Sequence, residues 1–291
     1  MSMSIKKFSF SEIKEKAEKL AEIWEKFYLE EFYLEWPDDP LLEQNEFAPL
    51  IATICNERVF HGYAFKFPSW LNDRIGGFDL PRLLKVDYKE MLRKFFEDKC
   101  SSRMQDEEGQ DEYINKISKS ILDALRFFQE RGVSPVTMFE NRPYTALEVY
   151  FTLRRIAGIG PKKASMITKD FIYRSLGLSE RHPWFDQVKA KSPEFDVKEG
   201  NLADMPIDVH VVKVFNRIFG RRSPKGGKWE NELPKHIQDI LAFSKLAFPD
   251  LPVKLDNIFW VVGGEYCHER YPNCEECPIE EICESAKKFY A

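Results

Sequence analysis

Near the end of the chain Cys267, Cys274, Cys277 and Cys283 stand in the order C-x6-C-x2-C-x5-C. Four free thiols in so short a loop would be an oxidation hazard, and four thiolates together are a metal-ligand set. Zinc and a [4Fe–4S] cluster are the two metals that suit such a set. A structural zinc site usually has two close C-x2-C knuckles, and here only Cys274–Cys277 has that spacing. Free or disulfide-linked cysteines are the plain alternative. The other two cysteines, Cys55 and Cys100, stand alone and read as small buried hydrophobes or free thiols.

A second group with chemistry in it is Gly158-Ile159-Gly160. A glycine turn at the start of a helix leaves backbone N–H groups pointing outward, and with the helix dipole these hold a phosphate. A plain helix–helix turn would have the same sequence. Lys162 and Lys163 follow directly. Lys162 falls in the first turn of the second helix, where the positive dipole end favours a free amine, the nucleophilic form. Asp208 precedes another helix and fits its N-cap. His210, Lys213, Arg217 and Arg221 recur on that helix at intervals of three and four, and are expected to form one outward basic stripe. Read alone, Lys162 could equally be a phosphate contact and Asp208 a plain cap.

These groups need elements to carry them, and most of the chain reads as helix. Residues 11–35 are amphipathic, with Ile13, Ala17, Leu20, Ile23, Trp24 and Phe27 on one face. Residues 47–56 and 113–131 are further helices, and 101–112 read as a polar loop. Thr145 and Glu148 make a capping box for a helix with Leu147, Tyr150, Leu153 and Ile156 on one face. After the glycine turn Pro161 suits the first position of the next helix, and Gly177 suits its stop. Residues 178–205 read as irregular and polar, and 255–262 as a last apolar helix leading into the cysteines. The aromatic stretch 58–78 could stack on bases or fill a core, and Arg58 and His61 are its polar candidates.

The net charge of −5 argues at first against a polyanionic partner. Its distribution does not. Residues 1–47 carry 6 Lys/Arg against 12 Asp/Glu. Residues 154–174 and 205–228 each carry six basic residues against one acidic, a local +5. Phosphate binding depends on the local field. No apolar run is long enough to cross a membrane, and the N-terminus lacks the apolar core of a signal peptide, so a cytoplasmic or nucleoid-associated protein is expected.

Taken together and in order, Gly158-Ile159-Gly160-Pro161-Lys162-Lys163-Ala164, Pro206-Ile207-Asp208-Val209-His210 and the cysteine loop resemble the helix-hairpin-helix DNA glycosylases of the endonuclease III type. The resemblance covers roughly residues 145–177 and 205–286, and more weakly Leu50-Ile51-Ala52. Gly264-Glu265-Tyr266-Cys267 resembles the family's lead-in to its first cluster ligand. The resemblance implies an all-α fold of two helical lobes with a DNA-binding cleft. Residues 48–190 would form one lobe, with the hairpin at 145–177, and 1–47 plus 191–291 the other. It implies a [4Fe–4S] cluster on the four cysteines, and double-stranded DNA containing a damaged or mismatched base as partner of a monomer. Lys162 would attack the sugar C1′ of a flipped nucleotide and form a Schiff base. Asp208 would stabilise positive charge on the sugar, and β-elimination would cut the strand. DNA contacts would come from Gly158, Gly160, Lys163, His210, Lys213, Arg217 and Arg270, with Arg58 and His61 toward the substrate base. Two other readings stand beside this one. One is a monofunctional glycosylase in which Asp208 activates water. The other is a non-catalytic DNA-binding or redox-sensing protein. The long interval from Lys162 to Asp208, Arg58 where the family often has a glutamine, and the acidic N-terminal helix depart from the pattern.

Overall fold

A computed structural model describes residues 8–28, 36–56, 61–99, 107–221, 229–268 and 271–289. Among the described residues the fold is all-α apart from two three-residue strands. Contacts divide the chain into two units, residues 35–198 and residues 1–34 with 199–291. Among the described residues no helix is long and apolar enough to cross a membrane.

In the N-terminal segment α1 (Phe10–Phe27) begins at a capping box, Ser9 with Glu12. Its buried face is Lys16, Ala17, Leu20 and Trp24. The first unit then holds α2 (Pro40–Gln44), α3 (Ala48–Cys55), α4 (His61–Ile75), α5 (Leu80–Leu83), α6 (Tyr88–Lys99) and α7 (Glu107–Arg131). Strand β1 (Pro143–Thr145) leads into α8 (Ala146–Leu153), followed by α9 (Pro161–Ser175), α10 (Pro183–Lys191) and β2 (Asp196–Lys198). Every residue of α3 is buried, as its sequence APLIATIC allows, so it forms the axis of this unit. The polar loop expected at 101–112 is in part the first turns of α7, which starts at Glu107.

Four aromatics of the 58–78 stretch are core, while Tyr63 is half-buried and Phe60 lies outside the described residues. Phe65, Phe67, Trp70 and Phe78 are at most 6% exposed, and Phe67 and Trp70 meet the edge of Phe95 on α6. A base has no face of these four rings to stack on. The expectation of an irregular 178–205 is also corrected. His182 caps α10, β2 pairs in parallel with β1, and Trp184, Phe185 and Phe195 pack with Phe139 and Phe171. Three-residue strands paired across some fifty positions leave no periodicity to read. The same pairing explains why residues 191–198 join this unit rather than the other. Residues 36–47 join it because α2 lies on α3, α4 and α10, with Gln187 Nε2 donating to Leu42 O at 2.8 Å.

The second unit contains α1 with α11 (Val209–Ile218), α12 (Trp229–Ala247), α13 (Lys254–Val261) and α14 (Glu284–Phe289). Helix α1 lies on α12 and α13, and α11 is covered by α12, α13, α14 and the wide turn Val262–Tyr266.

Candidate functional site

The hairpin is built from its caps inward. Thr145 Oγ1 accepts from Glu148 N at 3.1 Å, and Glu148 Oε2 accepts from Thr145 N at 2.8 Å. Arg154 Nη1 donates to Ile159 O at 2.9 Å and braces the turn. Gly158 has φ +79°, and a Cβ there would lie 2.8 Å from Ser120 Cβ and 3.1 Å from Ile54 Cγ2. Both the backbone and the close approach to α3 and α7 therefore demand glycine. Gly160 is different. It is the N-cap of α9 with φ −74°, and a Cβ there would meet nothing within 4 Å. The space before the helix N-terminus is open, as anion binding requires.

The two lysines that follow part ways. Lys162 is exposed. Lys163 is 7% exposed, and its Nζ donates to Ile54 O at 2.7 Å. The last carbonyls of α3 are buried and need donors, and Lys163 supplies one. The expected DNA contact by Lys163 is corrected on this ground. The hairpin ends as its sequence indicates. Gly177 has φ +70°, and Leu178 N donates to Tyr173 O at 2.8 Å, a Schellman closure.

In the second unit Asp208 caps α11, its Oδ1 accepting from His210 N at 2.8 Å and Val211 N at 3.0 Å. The expected outward stripe is not what the structure builds. Lys213 is 8% exposed and donates to Gly263 O at 2.5 Å. Arg217 donates through Nη1 to Cys267 Sγ at 3.1 Å and through Nη2 to His268 O at 2.9 Å. Arg221 is buried and donates to His236 Nδ1 at 3.1 Å. His210 is half-buried against Gly263, where a Cβ would lie 2.7 Å from His210 Cβ. With neighbours on several sides, α11 covers its polar positions too, and their charges satisfy carbonyls and a thiol. Arg58 and Arg270 lie outside the described residues. His61 is the first residue of α4, and its side chain lies outside them as well.

The four cysteines line one cavity, with Val214, Arg217, Val262, Tyr266, Ile279 and Ala286 among its walls. Burial pushes the Cys277 thiol up to about 12. Burial also raises Cys274 and Cys283, as do the other cysteines of the loop, while Arg217 pulls these two the other way. Without a cation these thiols stay protonated at neutral pH, whereas coordination deprotonates them. Among the described residues no three His, Cys, Asp or Glu side chains converge closely enough to hold a single ion. Four thiols lining one cavity are a donor set that either zinc or an iron–sulfur cluster could use.

A contact on the cysteine loop that the sequence does not disclose is made by Lys16. Its Nζ donates to Ile282 O at 2.6 Å and to Glu284 Oε1 at 2.9 Å, on either side of Cys283. Its place on the apolar face of α1 was the one available signal.

No family model matches the chain, and no curated protein matches it. Solved structures do. One, described as a thermostable thymine-DNA glycosylase, is 14% identical with a TM-score of 0.51, over 96% of this chain and 98% of that one. At that identity the likeness is one of fold: this chain has the all-α fold of that DNA glycosylase.

Proposed function

We propose that this protein is a DNA glycosylase of base-excision repair that also has AP-lyase activity. The observation that carries the reading is Lys162, exposed in the first turn of α9 behind a glycine turn with open space before the helix, in a chain that shares its fold with a thymine-DNA glycosylase along nearly its whole length. The partner is duplex DNA with a damaged or mismatched base turned out of the stack. The Lys162 amine attacks C1′, the base leaves with the bonding electrons, and the ring opens to a Schiff base. Loss of a C2′ proton then expels the 3′ phosphate. The Asp208 carboxylate opposes the positive charge that develops on the sugar as the base leaves, the role carboxylates play in glycosidases. Cys267, Cys274, Cys277 and Cys283 hold a [4Fe–4S] cluster that orders the loop and, with all four thiolates engaged, leaves no open ligand position for substrate.

The test is borohydride trapping on a panel of lesion-bearing duplexes, with mispaired thymine first because of the structural neighbour. Wild type should give a covalent adduct on at least one substrate. Lys162→Ala should lose trapping and strand cleavage while still binding DNA. Asp208→Asn should slow base release by roughly 10² or more, the size of a lost acid–base group, with little loss of fold, because Asn also caps helices well. Base release without trapping in wild type would replace the lyase reading with a monofunctional one. No base release on any duplex would remove the enzyme reading.

A further inference from the structure

The acidic N-terminal helix is the segment that the family resemblance leaves without a role, and its contacts supply one. Lys16 sits on its buried face, 7% exposed. A buried ammonium requires acceptors, and those of Lys16 are Ile282 O at 2.6 Å and Glu284 Oε1 at 2.9 Å, some 266 positions away in sequence. These two residues flank Cys283. Three residues on, Lys19 approaches Glu281 at 3.4 Å on the surface. Just before the helix, the Phe8 ring meets the edge of Phe219 at 5.3 Å, and Phe219 ends the helix that carries Arg217. Arg217 in turn reaches Cys267 and His268. The cysteine loop is thus held at Cys267 by the Arg217 guanidinium, and at its far end by Lys16 on the residues either side of Cys283, whose Sγ itself donates to Arg217 O at 3.5 Å. The rest of the buried face of α1, Ala17, Leu20 and Trp24, lies on α12 and α13, so docking of α1 and placement of Cys283 are one arrangement.

We infer that α1 is a clasp whose docking and the cluster's retention are coupled through Lys16. The inference rests on the proposed cluster and adds a conformational consequence. Coupling is reciprocal. If a docked α1 holds Cys283 where the cluster needs it, an ordered, loaded loop holds α1 in place. Loss of the cluster then loosens α1 and uncovers Ala17, Leu20 and Trp24. Lys16 is a positioning residue, acting on Cys283 through the backbone on its two sides.

The experiment uses the full chain. Metal content of the wild type, purified without air, is read first: protein without iron overturns the cluster reading and the inference with it. On iron-loaded protein, hydrogen exchange across residues 10–27 is compared before and after removal of the cluster by a ferrous chelator. Exchange should speed up by about tenfold or more in cluster-free protein, and unchanged exchange overturns the inference alone. In parallel, loss of iron–sulfur absorbance in chelator is timed for Lys16→Met and Lys16→Arg. Lys16→Met should bleach about tenfold faster than wild type, in line with loss of buried charge-assisted hydrogen bonds, and Lys16→Arg should restore most of the difference. Bleaching of Lys16→Met at the wild-type rate overturns the coupling. If Lys16→Met does not fold, the exchange comparison on wild type decides by itself.

Discussion

Lys162 and Lys163 are adjacent and chemically identical, yet the fold gives them opposite surroundings. One residue of helix turns a side chain by about 100°, enough to put Lys162 in solvent and Lys163 on the carbonyl of Ile54. Lys163 is thereby removed as a rival nucleophile, since its nitrogen is held inside the protein. The same turn from outside to inside reassigns Lys213. Its buried ammonium bonds Gly263 O, at the entrance to the cysteine loop. Lys213→Met should therefore lower stability by about 1.5–3 kcal/mol, the range for a hydrogen bond to a charged group. It should leave the slope of DNA affinity against salt unchanged, because no phosphate contact is lost. Urea melts and a salt titration of binding check the two halves; a slope lower by about one would return Lys213 to the DNA. Spacing on a helical wheel identified these side chains as one stripe. It carried no information on which side of the wheel another helix would cover.

At the scale of elements the glycine turn separates folding from binding. Gly158 has a positive φ and a Cβ position 2.8 Å from Ser120 Cβ; Gly160 has neither constraint. Gly158→Ala should cost at least ~1–2 kcal/mol from backbone strain alone, with more from the contact, and should lower Tm. Gly160→Ala should melt near wild type. A methyl group in the open space before α9 should nonetheless weaken DNA binding if a phosphate rests there, so thermal melts with binding curves on the two variants read the two roles apart. Normal binding by Gly160→Ala would take the phosphate away from this turn. Several elements were legible beforehand because their signals are local: the Thr145–Glu148 box, Pro161 at the first turn of α9, Gly177 at its stop and Asp208 as a cap each act within four residues. Strand β2 was not, since its three residues become a strand only through β1.

For the molecule as a whole, the aromatic interior of the first unit has a pH consequence. His182 is 1% exposed, with its ring 4.5 Å from Trp36 and 5.0 Å from Phe171. Burial brings its pKa down to about 3, while its Nδ1 accepts from Phe185 N at 3.1 Å. The folded protein keeps this imidazole neutral where the unfolded chain binds a proton. The unfolded state therefore holds more protons between about pH 6.5 and 3, and stability falls as pH falls through that window, by at most ~1.4 kcal/mol per unit. Asparagine can keep the cap but not titrate. His182→Asn should be less stable than wild type at neutral pH through lost packing, and the gap should narrow between about pH 6 and 4, as read by urea unfolding. A gap that stays constant would mean that His182 is protonated in place.

Local signals carry the all-α class, the helical hairpin with its caps, and four cysteines gathered in one short loop. These depend on residues close in the chain, whose spacing is set by covalent geometry and the helical repeat. Which basic residues face inward is set by packing between elements. Lys163, Lys213 and Arg221 are buried because neighbouring elements cover them and offer carbonyl, imidazole or carboxylate acceptors. Packing also brings Lys16 to Ile282 and Glu284, on either side of Cys283, and Arg217 to Cys267. Those contacts join segments far apart in the chain, and they form because burying the apolar faces of α1 and α11 leaves their charged residues nowhere to go except onto the polar groups of the cysteine loop.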